Sequence, residues 1–387
     1  MPFRPTRVAV LACALTAASL QAADVSVSDS PSLRRACAAA NPGDHIRLAP
    51  GRYAPGVYLS NLNGTPDHPI TIEGDANDPP VFDGGTEALH LSNCSHVVLR
   101  NLRVTGQSGN GINVDDGGRI DAPTHHITLE NLAVENVGPS GNHDAIKISG
   151  LDDFVIRDCR ITGWAGQAID MVGCHRGLIE NCTFTGKEGF SQATGPQFKG
   201  GTSDVTLRRC TFVNAGDRAL NVGGSTGAAY FRPSTAAIEA RAITVEGCTF
   251  HGSVTPVAFV GVDGAVFRYN TIVYPKKWLF RILQENRTPG FPPCRNVHFD
   301  HNLVVWNDAD CPVPVNIGDA TAPQTFTFSD NFWYCADAPA KSRLQLPAKE
   351  SRGIYGRDPR ISRDTGVPRD PAATPYGAHA LPKPTNQ

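Results

Sequence analysis

One column of residues returns along this chain about once per ~25 residues, a period in the range of stacked-repeat architecture. The segments that share it are VVLRNLRV (97–104), ITLENLAV (127–134), FVIRDCRI (154–161), GLIENCTF (177–184), VTLRRCTF (205–212), ITVEGCTF (243–250), AVFRYNTI (265–272), VHFDHNLV (297–304) and FTFSDNFW (326–333). Aligned, they place Leu102, Leu132, Cys159, Cys182, Cys210, Cys248, Asn270, Asn302 and Asn331 in one position. Each segment alternates apolar and polar residues and then turns, as a strand with one buried face does. Identical residue types at one position are what parallel coils require, because each coil lies on the last at about 4.8 Å. Asparagines can hydrogen-bond along such a stack and cysteines can pack in it. The expected fold is all-β: a single-stranded right-handed parallel β-helix.

The 387 residues, 40% hydrophobic and 19% charged with a formal net charge of -2, suffice for one large core and give no sign of a nucleic-acid partner. Residues 1–23 read as a secretory signal peptide. Arg4 and Arg7 precede the apolar run VAVLACALTAASL, and cleavage is expected after Ala22 or Ala23. Cys13 sits in a lipobox-like VLAC, but the apolar run continues beyond it, which argues against a lipoprotein. No segment is suited to span a membrane. The chain is expected to be secreted or periplasmic, and monomeric. Among the cysteines after residue 23, Cys159, Cys182, Cys210 and Cys248 share the inward column and are expected to be free thiols. Cys294, Cys311 and Cys335 lie outside it and are the better disulfide candidates. No cysteine pair has zinc-ligand spacing with histidine, and GRIDAPTHH reads as a loop with a histidine pair, not a metal motif.

Residues 24–335 are expected to form the β-helix. Within them 30–41 (SPSLRRACAAAN) make a short helix, N-capped by Ser30, that covers the first coil. The Pro-rich tail 336–387 is expected to wrap the last coil or extend from it. A second strand precedes each ladder segment, and its alternation leaves two outward stripes. One is His90, Asn113, Lys147, Asp170, Gln197, Asn221, Ala258; the other is Ser92, Asp115, Ser149, Val172, Lys199, Gly223, Val260. Long loops at 117–126, 187–194 and 224–241 flank this face and would wall a groove.

In that groove His143, Asp144, Lys147, Asp170, His175, Gln197, Lys199, Asp217, Arg218 and Asn221 converge, with Tyr230, Phe231 and Arg232 from the longest loop. Lys199, followed by Gly200-Gly201 and rooted beside cationic Arg218, is the candidate general base, and pairing with Asp170 is its plain structural alternative. Asp144 and Asp170 lie on adjacent coils with backbones on the order of 8 Å apart. That spacing suits a Ca²⁺ ion held through water and substrate, or the acid and base of an inverting glycosidase. His143 and His175 are candidates for protonating a leaving oxygen, while Lys147, Gln197, Asn221, Tyr230 and Arg232 are candidates for binding substrate.

The opening PGDHIRLAPGRY…NGTPDHPITIEG resembles the first coils of pectate-lyase-like polysaccharide lyases, in particular the alginate lyase and chondroitinase B family. FKGGTSDVTLRRCTFVNAG resembles that family's coil with a catalytic lysine, which implies that role for Lys199. It is equally similar to the lysine coil of calcium-dependent family-nine-type pectate lyases. The pattern departs in two places. The expected arginine falls on Gly223, with Arg218 nearby, and the calcium-binding glutamates are absent, with Gln197 near one of them. NHDAIKI is similar to the NTDGID motif of polygalacturonases, with Asp144 as the matching carboxylate, although only Asp170 follows in QAIDM. The resemblance implies a secreted lyase cleaving an acidic, uronate-containing polysaccharide or oligosaccharide by β-elimination, with Arg218, Lys147 or Ca²⁺ neutralising the carboxylate. A glycoside hydrolase using Asp144 and Asp170, a uronate C5-epimerase and a non-catalytic glycan-binding β-helix remain alternatives.

Overall fold

The computed structural model describes residues 22–362 and 365–382; the expected signal peptide lies, apart from Ala22 and Ala23, outside the described residues. The described strands form three parallel sheets of 13, 10 and 12 strands, each pairing mainly with the coil before and after it. The ladder column is buried as expected. Cys248 N donates to Asn270 Oδ1 at 2.9 Å, Asn270 N to Asn302 Oδ1 at 2.8 Å, and Asn302 N to Asn331 Oδ1 at 2.9 Å. Each asparagine also returns its Nδ2 to a carbonyl of the preceding coil, so a buried polar column is satisfied in full. Beside it Phe184, Phe212 and Phe250 stack with centroids 5.0 and 4.4 Å apart.

The capping helix runs Ser30–Ala38 and buries Leu33 and Cys37. Its N-cap is Asp29, not Ser30: the Asp29 carboxylate accepts from Ser32 N at 2.7 Å in a capping box, while the buried Ser30 hydroxyl donates to Ala54 O at 2.6 Å. The disulfide expectation is corrected. Cys294, Cys311 and Cys335 are free and buried, as are all the described cysteines. The Cys294 thiol lies on Phe259 O at 3.4 Å and that of Cys311 on Pro275 O at 3.3 Å, so each sits within a coil packing position of its own.

Pairing continues past residue 335, since Ile354–Tyr355 pairs with Phe332–Trp333. The chain then turns back along the outside of the twelve-stranded sheet, where Ala373 and Tyr376 cover Val273, Leu303, Val305 and Phe332. That cover explains why TIVY, LVVW and FWYC are apolar on both faces instead of alternating. Among the described residues no helix is long and apolar enough to cross a membrane.

Candidate active site

The ten-stranded sheet carries the two outward stripes in the expected register. His90 pairs with Asn113, Asn113 with Lys147, Lys147 with Asp170, Asp170 with Gln197, and Gln197 with Asn221. Val172 pairs with Lys199, which puts Lys199 one coil on and two positions along from Asp170. The result is a compact charge cluster. Lys147 Nζ lies 2.6 Å from Asp170 Oδ2 and 3.4 Å from Asp144 Oδ2, and Lys199 Nζ lies 2.9 Å from Asp170 Oδ1. Both aspartate side chains are 1% exposed, against 33% for Lys147 and 17% for Lys199, so the two lysine nitrogens face the groove and the carboxyl groups sit beneath them.

Burial works to lower the Lys147 pKa, but Asp170 and Asp144 outweigh it and hold it above the ordinary lysine value. Burial, with Asp170 alongside, raises the pKa of Asp144, which also accepts a hydrogen bond from Gln167 N at 2.9 Å. The cluster does not fit the expected Ca²⁺. Lys147 Nζ, within 3.4 Å of Asp144 Oδ2 and 2.6 Å of Asp170 Oδ2, already holds the place of a cation bridging these two carboxyl groups.

A cavity of about 400 Å³ lies over the cluster, lined by Lys147, Asp170, Lys199, Thr226, Tyr230 and Arg232 among others. It continues into a second of about 250 Å³ that shares Lys147, Ser149 and Arg232 and reaches His90 and Asp115. The wall is the loop 224–241. Arg232 reaches across the coils to Asp116, a carboxylate 1% exposed, donating to Oδ1 at 3.1 Å and closer still to Oδ2. Glycines leave room for this strap. A Cβ at Gly173 would stand 2.5 Å from Arg232 Cβ, and one at Gly150 2.6 Å from its Nε. At the base of the loop Glu239, fully buried, accepts from Gly200 N at 3.0 Å, Thr226 N at 2.9 Å and Asn286 Nδ2 at 2.7 Å. Asp116→Ala is therefore expected to leave a nearly buried guanidinium unpaired and to loosen the loop at a local cost of about 3–5 kcal/mol. Limited proteolysis should cut between 224 and 241 several times faster, with the melting of the coils little changed.

Other expected site residues fall elsewhere. Arg218 pairs in register with Thr194, so its backbone stands on the order of 16 Å along the sheet from Lys199. Its guanidinium goes to Glu285 at 2.6 Å and to Asn221 at 3.3 Å. Gln197 and Asn221 are buried beneath the start of the long loop, both donating to Gly223 O. The His175 ring is held at Nδ1 by Asp152 (2.8 Å) and at Nε2 by two carbonyls, on the far side of the Arg232 strap. The His143 ring packs on the turn glycines Gly138 and Gly141. Tyr230, 65% exposed, overhangs the cavity. Asp116, Glu239 and Glu285 escaped the sequence reading, since each lies in a turn or loop and finds partners far from it in sequence.

At the far end of the groove His90 Nε2 meets Asp115 Oδ2 at 2.7 Å, and its Nδ1 lies 3.5 Å from Glu87. The Asp115 hydrogen bond, with that of Glu87, lifts the His90 pKa to about 9. Burial pushes Asp115 up, but the bonds from His90 and Ser92 outweigh it and bring it down to about 2. A histidine raised on folding contributes stability that is complete below its unfolded value near 6.5 and disappears as pH rises through 9. The stability gap between wild type and His90→Gln is accordingly expected to shrink by on the order of 2 kcal/mol between pH 6 and pH 10, read by urea unfolding.

A family model described as a right handed beta helix region matches residues 87–272. Among curated proteins no sequence matches. Several solved structures are similar. The alginate lyase from Paenibacillus sp. str. FPU-7 has 21% identity and a TM-score of 0.51 over 85% of this chain and 95% of that one. The pectate lyase Pel9A has 11% identity and a TM-score of 0.52 over 80% of each. A rhamnogalacturonan lyase has 14% identity and a TM-score of 0.52 over 77% of this chain and 82% of that one. At these identities the likeness is one of architecture, and it agrees with the coil register and the three parallel sheets: this chain is a right-handed parallel β-helix.

Proposed function

We propose that this chain is a secreted polysaccharide lyase that cleaves a uronate-containing polysaccharide or oligosaccharide by β-elimination. The observation that carries the reading is the pair of lysines sharing one buried carboxylate on the floor of a walled groove, beneath an exposed tyrosine. The lyases among the structural neighbours lend the fold-level support.

The hydrogen at C5 of a uronate becomes removable only when the charge of the adjacent carboxylate is neutralised. Lys147, whose two carboxylate partners keep it an ammonium, takes that part. Lys199 Nζ, as the neutral amine, accepts the C5 proton and becomes an ammonium; the C5–H electron pair forms the C4=C5 double bond; and the C4–O bond breaks, its oxygen taking a proton from the Tyr230 hydroxyl. Asp170 holds both lysines at fixed separation, which is the positioning that makes such a transfer efficient.

The product carries a conjugated double bond, so ultraviolet absorbance should rise when the folded protein is incubated with alginate, pectate or a glycosaminoglycan. New reducing ends without that absorbance would replace the lyase reading with a hydrolytic one. No change on any uronate polymer would remove it.

A further inference from the structure

On the outer face of the thirteen-stranded sheet, away from the groove cluster, three histidines meet. His96 lies on the strand Ser95–Arg100, and His125 and His126 on the strand Thr124–Glu130 of the next coil. His125 Nδ1 and His126 Nδ1 are 2.9 Å apart, and the His96 ring stacks on His126 with centroids 4.4 Å apart. One ligand nitrogen from each of the three lies within 4.8 Å of the others.

The backbone explains the convergence. His96 (φ 51) and His126 (φ 55) are left-handed residues at the same point of successive coils, and Asp153 (φ 52) follows on the third. The left-handed kink throws each side chain outward in the same direction, so the rings must meet. His125 pairs in register with Ser95 and brings its imidazole to the same spot.

We propose that His96, His125 and His126 form a binding site for a borderline transition cation, Zn²⁺ in the first instance. Three imidazole nitrogens without a coordinating carboxylate suit Zn²⁺, Ni²⁺ or Cu²⁺ and disfavour Ca²⁺ and Mg²⁺. Zn–N bonds of about 2.0–2.1 Å place tetrahedral ligands about 3.3 Å apart, within reach of small rotations of these part-exposed rings. His126 is exposed, which leaves the fourth position to water. The ion would clip two coils together where the loop that begins at Gly117 rejoins the sheet, a point already held by the Thr124 hydroxyl on Asp115 O at 2.6 Å. The site is independent of the proposed elimination chemistry.

The test uses the full untagged chain, equilibrated with Zn²⁺ and dialysed, with metal content and the visible spectrum of a Co²⁺-substituted sample as readouts. Asparagine is the replacement of choice at 96 and 126, because it tolerates the left-handed backbone that an alanine would strain. Loss of even an outer partner of a metal ligand costs 10–100-fold, so His96→Asn or His126→Asn should weaken Zn²⁺ binding by more than about tenfold. The expected result is one retained Zn²⁺ per chain, a tetrahedral Co²⁺ spectrum, loss of both in the variants, and no competition from Ca²⁺. Equal uptake by wild type and variants with the same circular dichroism, or a Co²⁺ spectrum that stays octahedral, overturns the proposal.

Discussion

Lys199→Met is expected to lower turnover on a uronate polysaccharide by about 10²- to 10⁴-fold, the range a positioned acid–base group supplies. Methionine keeps the stem that packs against Gly224 and removes only the amino nitrogen. Asp170 retains Lys147 at 2.6 Å, so its charge is still paired and the stability change should stay near 1 kcal/mol. Lys147→Met is expected to act on the other half of the reaction, lowering kcat by weakening carboxylate neutralisation. Kinetics with matched urea melts separate the cases. A folded Lys199→Met protein with full activity would mean that the lysine only balances Asp170 and that the base is another group.

The neighbouring residue should show the opposite behaviour. Phe198→Ala is expected to cost about 3–5 kcal/mol in stability, because the ring is fully buried and lies in register between Met171 and Val222 of the adjacent coils. In a stacked repeat each coil leans on its two neighbours, so the cavity weakens three coils at once. Activity should fall only as far as Lys199, on the same strand, loses its footing. Urea unfolding at constant pH measures the effect, and a loss below about 1 kcal/mol would show that the strand register has room to collapse around the missing ring.

The alternation of a strand has a period of two, and parallel coils repeat it in place, so both outward stripes could be read directly from the sequence. His90, Asn113, Lys147, Asp170, Gln197 and Asn221 pair as that reading requires. The same regularity made the buried Asn270, Asn302 and Asn331 column legible. Loops have no such period. Nothing near Arg232 in sequence indicates that it ends on Asp116, and nothing near Arg218 indicates Glu285. Glu285 draws Arg218 away from the lysine cluster, while the carbonyl of Gly223 at the start of the long loop takes the Gln197 and Asn221 amides. The three histidines were hidden for a related reason: two are adjacent in sequence, but the third lies one coil earlier and is brought in by a left-handed kink that no composition rule reveals. The cysteines outside the ladder stay free because each thiol is buried in a packing place of its own, which an expectation drawn from a secretory leader does not reveal.

The asparagine column has a direction. Each turn N–H along it is satisfied by an amide oxygen from the coil that follows, so the need for an acceptor is handed forward along the molecule. Glu350 ends the relay: its carboxylate accepts from Asn331 N at 3.0 Å, Asn331 Nδ2 at 2.9 Å, Trp333 Nε1 at 2.6 Å and Tyr355 Oη at 2.6 Å. An ionised carboxylate accepts and cannot donate, so it passes no demand onward. One side chain thereby acts as a terminator for a structure whose repeating geometry contains no stop of its own.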